Sequence, residues 1–231
     1  MGIYIRIDVD KPYGHKNIFC KILSKLSENY FTISYPKIYL RGCKKLLTFL
    51  NEQKVPANIY FRHSTIPDEE VKSLLAKGKH AIGLHAENTR NFETFTEEFN
   101  GMVKKSEIQI DHFTKHGSGT LKLGKHHYPP YEPEKYKEWA KKMKLNYRFG
   151  NGTMTKANAS NSEFIGDMFW SEHWYRDAAY NNIETLINDS KEKDHVLLIH
   201  PANYESFPKV KTDFELAIQK IKENQILLKT I

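Results

Sequence analysis

Apolar and polar positions alternate through the start of the chain. In "IYIRIDVD", residues 3–10, Ile3, Ile5, Ile7 and Val9 share one face of an extended segment, and Asp8 and Asp10 share the other. The pattern predicts a buried strand that delivers two carboxylates to one pocket at its exit. Further on, helical spacing is set by Ile18, Phe19, Ile22, Leu23 and Leu26, and again by Leu46, Leu47 and Leu50. "ANIYF" at 57–61 reads as a strand. Pro67 and Asp68 open a helix that carries Val71, Leu74 and Leu75 and stops at Gly78. "HAIGLH" at 80–85 reads as a buried strand ending in histidine, and Phe92, Phe95, Phe99, Met102 and Val103 as a helical stripe.

"EIQID" at 107–111 is expected to be a strand, with the glycine-flanked "KHGSG" following it. Pro133 starts a helix with Tyr136, Trp139, Ala140 and Met143 on one face. "LNYRFG" predicts a strand ending at Gly150, residues 151–162 a polar surface loop, and "FIGDMFW" another strand. Residues 183–190 read as weakly helical. "HVLLIHP" at 195–201 is the clearest buried strand and also ends in histidine. Thr212 or Asp213 is expected to cap the last helix, and "ILLKTI" closes the chain as a strand. Strands alternating with helices predict a parallel sheet covered by helices. Neither an internal repeat nor a dividing linker is visible, so residues 1–231 are expected to form a single domain.

Composition narrows the function classes. Hydrophobic residues make up 39% of the chain, enough for a core, yet no stretch reaches the ~20 apolar residues that span a bilayer. The first strand starts at residue 3, which leaves no room for a signal peptide and makes a cytoplasmic location the expectation. Cys20 and Cys43 have no CxxC spacing and read as free thiols. A net charge of +7 reads first as a solvated basic surface, and second as suited to an anionic substrate or an anionic membrane surface. The lysines are scattered, and no basic stripe with interleaved aromatics argues for nucleic acid.

Three strands end in metal-type residues: Asp8 and Asp10, His85, and His200; His116 follows a fourth. In parallel α/β folds the carboxyl ends of the strands form one rim, where active sites gather. Two histidines and a carboxylate suit zinc or another first-row divalent ion.

These residues resemble the polysaccharide deacetylases, the NodB-homology or carbohydrate esterase 4 family, over most of the chain. "IRIDVD" is similar to the family's first motif, "AIGLHAENT" to its second and "VLLIHP" to its last. The resemblance implies an α/β fold, an irregular (β/α) barrel of about seven strands. It also implies Asp8 as catalytic base, His200 as general acid, and Asp10 and His85 as metal ligands. The family's second motif carries another histidine four residues after the first, and here that position is Thr89. A divergent branch takes its third ligand from the next strand, which points to His116, with His112 as the alternative. The arginine-proline-tyrosine motif is absent, and "HHYPPY" at 126–131 is a loose echo of it.

The implied activity is removal of an N-acetyl group from an amino sugar with one divalent ion: zinc, with cobalt and nickel also fitting the ligands. The implied partner is a nucleotide- or lipid-linked sugar or an oligosaccharide, with peripheral membrane contact compatible with the basic charge. Two rivals are another C–N hydrolase on the same fold, such as a sugar deformylase, and a non-catalytic carbohydrate-binding relative. Glu87 and Asn88 are expected either to orient a ligand or to cap the next helix. Tyr13 and His15 are rim candidates, and His126 and His127 are candidates for site contact. Trp170, His173, Trp174 and Tyr175 are candidates for either sugar stacking or core packing.

Overall fold

The computed structural model describes residues 1–14, 16–29, 37–117, 128, 130–147, 168–170 and 182–231. Strand β1 (Gly2–Val9) leads through α1 (Ile18–Asn29) and α2 (Ile38–Gln53) to β2 (Asn58–Phe61). Then come α3 (Glu69–Gly78), β3 (Ala81–Ala86), α4 (Phe92–Ser106), β4 (His112–Lys115), α5 (Pro133–Met143) and β5 (Asn146–Tyr147). After β6 (Met168–Trp170) follow α6 (Ile183–Asp189), β7 (His195–Ile199), α7 (Pro201–Ser206), α8 (Pro208–Glu223) and β8 (Leu227–Lys229). Every described strand pairing is parallel, in the order β5-β4-β3-β2-β1-β7-β6, with β8 on the first residues of β1. The parallel sheet follows the alternation of strands and helices, and its curl makes it an irregular (β/α) half-barrel, as the resemblance implied.

The period of two sorts residues between its faces. Ile3, Ile5, Ile7 and Val9 of β1 join Phe61, Leu84, Phe113, Leu197 and Ile199 in the main core beneath the helices. The opposite positions of β1, β2 and β7 supply a smaller cluster of Tyr4, Tyr60, Val196 and Leu198. That inner face continues toward the carboxyl ends of the strands as Arg6, Asp8, His85, Thr114 and His200, all buried.

The local signals that set the helices are orthodox. Asp68 accepts the Val71 N–H and caps α3, while Asn91 and Thr94 form a capping box at α4. The Asn91 cap replaces the capping role considered for Glu87 and Asn88. Three other expectations are corrected. The strand expected at 107–111 lies at His112–Lys115, because Glu107 takes a left-handed conformation (φ 57°) that ends α4. Ile108 and Ile110 then pack against the core from the connecting segment. The last helix starts at Pro208 rather than at residue 212 or 213, since Pro is well tolerated in a first turn. Helix α7, which follows His200 directly, was not foreseen. The 151–162 loop, residues 148–150 of "LNYRFG" and residues 164–167 of "FIGDMFW" lie outside the described residues.

Helix α2 packs closely on α7, and Gly42 makes that approach feasible. A Cβ at this position would overlap the Pro201 carbonyl. Because the obstacle is backbone, Gly42→Ala should cost about 1–3 kcal/mol. It should also displace Pro201, and with it His200. The thermal midpoint of the purified variant checks this, and an unchanged midpoint would refute the close packing.

Candidate metal centre

Asp8 is the penultimate residue of β1, and the chain then bends: the Asp10 N–H donates to the Asp8 carbonyl at 2.9 Å. Despite the bend both carboxylates reach the same imidazole. His85 Nε2 lies 3.4 Å from Asp8 Oδ2 and 3.7 Å from Asp10 Oδ1. His116 Nδ1 stands 3.3 Å from Asp10 Oδ1, and His200 Nε2 3.7 Å from Asp10 Oδ2. The His85 and His116 rings meet edge to face, with centroids 4.8 Å apart. The five positions singled out in the sequence therefore share one pocket, all at most 6% exposed.

Ligand atoms of Asp10, His85 and His116 lie within 4.8 Å of one another. Asp10 Oδ1 is buried and makes no hydrogen bond among the described residues, although two imidazole nitrogens face it. Burial alone would raise the Asp10 pKa, but His116, His85 and His200 outweigh it and hold the carboxyl well below the usual range. Burial is also the main reason the His85 pKa falls well below its ordinary value, against the pull of Asp10. A carboxylate beside a neutral imidazole is the donor set a divalent cation requires, so the residues present fit the group.

The neighbours of the cluster were less visible in the sequence. Arg6 grips Asp8 with two bonds, Nε to Oδ1 and Nη2 to Oδ2, each 2.8 Å. Arg6 Nη2 also donates to Thr114 Oγ1 at 3.3 Å, and the same hydroxyl lies 2.7 Å from His85 Nδ1. For Nε2 of His85 to offer a lone pair to a cation beside Asp10, Nδ1 must carry the proton and donate it to Thr114. Arg6 had a signal, since it shares the period-two face of Asp8. Thr114 was hidden by the displaced strand.

Thr89 points elsewhere: it is fully buried, 3.4 Å from the Tyr136 hydroxyl. His112 is turned toward Asp111 at 2.7 Å and stacks edgewise on Tyr60, so His116 and not His112 meets Asp10. Glu87 pairs with Arg62 at 2.5 Å; burial opposes its ionisation, but Arg62 prevails and holds its pKa at about 2. A second cluster, His63, Glu87 and Glu98, has both carboxylates engaged. Glu98 accepts the backbone N–H groups of Glu87 and Asn88. Tyr13 is buried. His15, His126, His127, His173, Trp174, Tyr175 and the Trp170 side chain lie outside what the structure describes.

If Thr114 holds the His85 tautomer, Thr114→Val should weaken divalent-ion affinity by about 10- to 100-fold. Titration calorimetry with zinc measures this directly, and wild-type affinity in the variant would remove Thr114 from the account.

No family profile matches the chain, and no curated protein matches it either. Solved structures do. A probable polysaccharide deacetylase from Pseudomonas aeruginosa aligns over 96% of this chain and 84% of its own, at 11% identity and TM-score 0.54. An allantoinase aligns over 98% and 86%, at 11% identity and TM-score 0.57. A carbohydrate esterase family 4 pseudoenzyme from Bacillus anthracis is matched at 12% identity and TM-score 0.47, over 97% of this chain and 62% of that one. The chain thus spans less than two thirds of that protein's length. Together with the parallel curled sheet, the matches above a TM-score of 0.5 show that this chain has the fold of the polysaccharide deacetylases.

Proposed function

We propose that residues 1–231 act as one catalytic domain, a metal-dependent hydrolase that removes an N-acetyl group from an amino sugar. The observation that carries this reading is the convergence of Asp8, Asp10, His85, His116 and His200 in one buried pocket. Asp10, His85 and His116 would hold the ion, zinc first and cobalt or nickel as alternatives. When bound, it supplies Lewis-acid polarisation of the amide carbonyl.

Asp8 acts as the general base. It takes a proton from the attacking water as the new C–O bond forms, and Arg6 fixes its orientation for that transfer. His200, on the other side of Asp10, gives a proton to the sugar nitrogen as the C–N bond breaks. The products are acetate and a free amino sugar. The net charge of +7 favours a nucleotide-linked or lipid-linked sugar, both of which carry phosphate.

Acetate release from such substrates, with and without a chelator, tests the reading. Release that stops on chelation and returns with zinc is expected. Faster release of formate from the formylated sugar would favour the deformylase, and tight metal binding with no acyl release from any substrate the non-catalytic relative.

Variants separate the two aspartates. Asp10→Ala should lose both ion and activity. Asp8→Asn should keep the ion and lose turnover by ~10²- to 10⁴-fold. It also leaves the buried Arg6 guanidinium without its anion, which costs about 3–5 kcal/mol. Metal content, rate and thermal midpoint must therefore be read on the same preparation. Loss of the ion in Asp8→Asn with retention in Asp10→Ala would exchange the two roles.

A further inference from the structure

Helix α1 sits on the body of the protein the wrong way round. Among its described side chains Ser24 is the fully buried one, 2% exposed. The Ser24 hydroxyl accepts the Tyr13 N–H at 3.0 Å and reaches the Gly14 carbonyl at 3.4 Å, tying the helix to the loop that leaves Asp10. Ile18, Phe19 and Ile22 are 76%, 57% and 51% exposed. At roughly 100° per residue these three, with Leu26, lie on the side of the helix opposite Ser24. An amphipathic helix in a water-soluble body normally buries its apolar stripe. Here the polar residue is the anchor and the apolar stripe faces out.

The charges around the stripe indicate what it meets. Lys16, Lys21 and Lys25 are exposed beside it, and no Asp or Glu occurs between Asp10 and Glu28. An apolar face flanked by lysines is the composition of a helix that lies in the interface of an anionic bilayer. A second copy of this face would bring lysines against lysines, which disfavours self-association through it.

We infer that α1 is an interfacial helix that docks the protein on an anionic lipid surface, inserting Ile18, Phe19 and Ile22 with Lys16, Lys21 and Lys25 at the headgroups. Docking places the loop behind Asp10, and with it the rim of the pocket, at the bilayer. The inference does not depend on the hydrolase reading, because no step of the test involves substrate or metal.

The test is flotation of the full chain with vesicles of phosphatidylcholine alone and with about a third phosphatidylglycerol. Binding to the anionic vesicles only is expected. The combined variant I18S/F19S/I22S should bind about tenfold more weakly or worse. K16E/K21E should lose the preference for phosphatidylglycerol. Circular dichroism melting keeps the result interpretable: each of the three apolar side chains is more than half exposed, so the variant should melt like wild type. Absence of flotation would overturn the inference, as would equal flotation of the apolar variant. So would a wild-type dimer in sedimentation velocity that the apolar variant dissociates, since a second copy would then be what covers the face.

Discussion

The pocket depends on one buried ion pair. Arg6 and Asp8 lie two residues apart on the inner face of β1, each almost completely removed from water. Desolvating two charges costs several kcal/mol per ion, and the pair holds only because the geometry is bidentate and the remaining donors are used. Arg6 uses one of them on Thr114 and lies 5.6 Å from the centre of the Tyr60 ring. Through these contacts a single guanidinium fixes a carboxylate on β1 and a hydroxyl on β4. The hydroxyl in turn holds the imidazole on β3. Three strands are thereby locked at the end where the ligand atoms converge.

The pair also sets the charge of the site. Two neighbouring carboxylates would repel each other in a low-dielectric pocket. Arg6 neutralises Asp8 and, among the described residues, leaves Asp10 as the carboxylate that faces the three histidines without a cationic side chain of its own. With His85 held neutral by burial, that carboxylate and its imidazoles favour a divalent cation over a proton. Asp8 retains an oxygen toward His85, 3.4 Å away, so pairing with Arg6 does not withdraw it from the pocket.

Much of this arrangement was legible because β1, β3 and β7 carry strong apolar runs that end in Asp or His. The strand that reads worst is β4, and the reason is functional. Its inward positions are polar, Thr114 because it bonds Arg6 and His85 in the pocket and His112 where it meets Tyr60 edgewise, which leaves Phe113 as its one large apolar residue in the core. Ile108 and Ile110 upstream imitate a strand better than the strand does. Arg6 was visible as a position but not as a partner: the period of two puts it with Asp8, yet only the curl of the sheet shows that Thr114 completes its bonding. Helix α7 was missed because Pro201 reads as the end of β7, whereas proline is equally at home in the first turn of a helix.

Thr89 stands where the resemblance implied a histidine, and its surroundings explain what it does. Thr89 helps hold α5, since the Tyr136 hydroxyl donates to the Pro130 carbonyl at 2.9 Å and so receives a bond from Thr89 rather than giving one. In the proposed site the third ligand comes from a position already aligned with His85. The β3–β4 ladder provides it: His85 is in register with Thr114 and Ala86 with Lys115. The ladder runs one bond further, from the His116 N–H to the Ala86 carbonyl at 2.7 Å. Two residues beyond Thr114, His116 returns to the same inward face and stands edge-on to His85. A histidine one strand over can take the place of one four residues along because the backbone register, rather than the loop after β3, fixes where its ring goes.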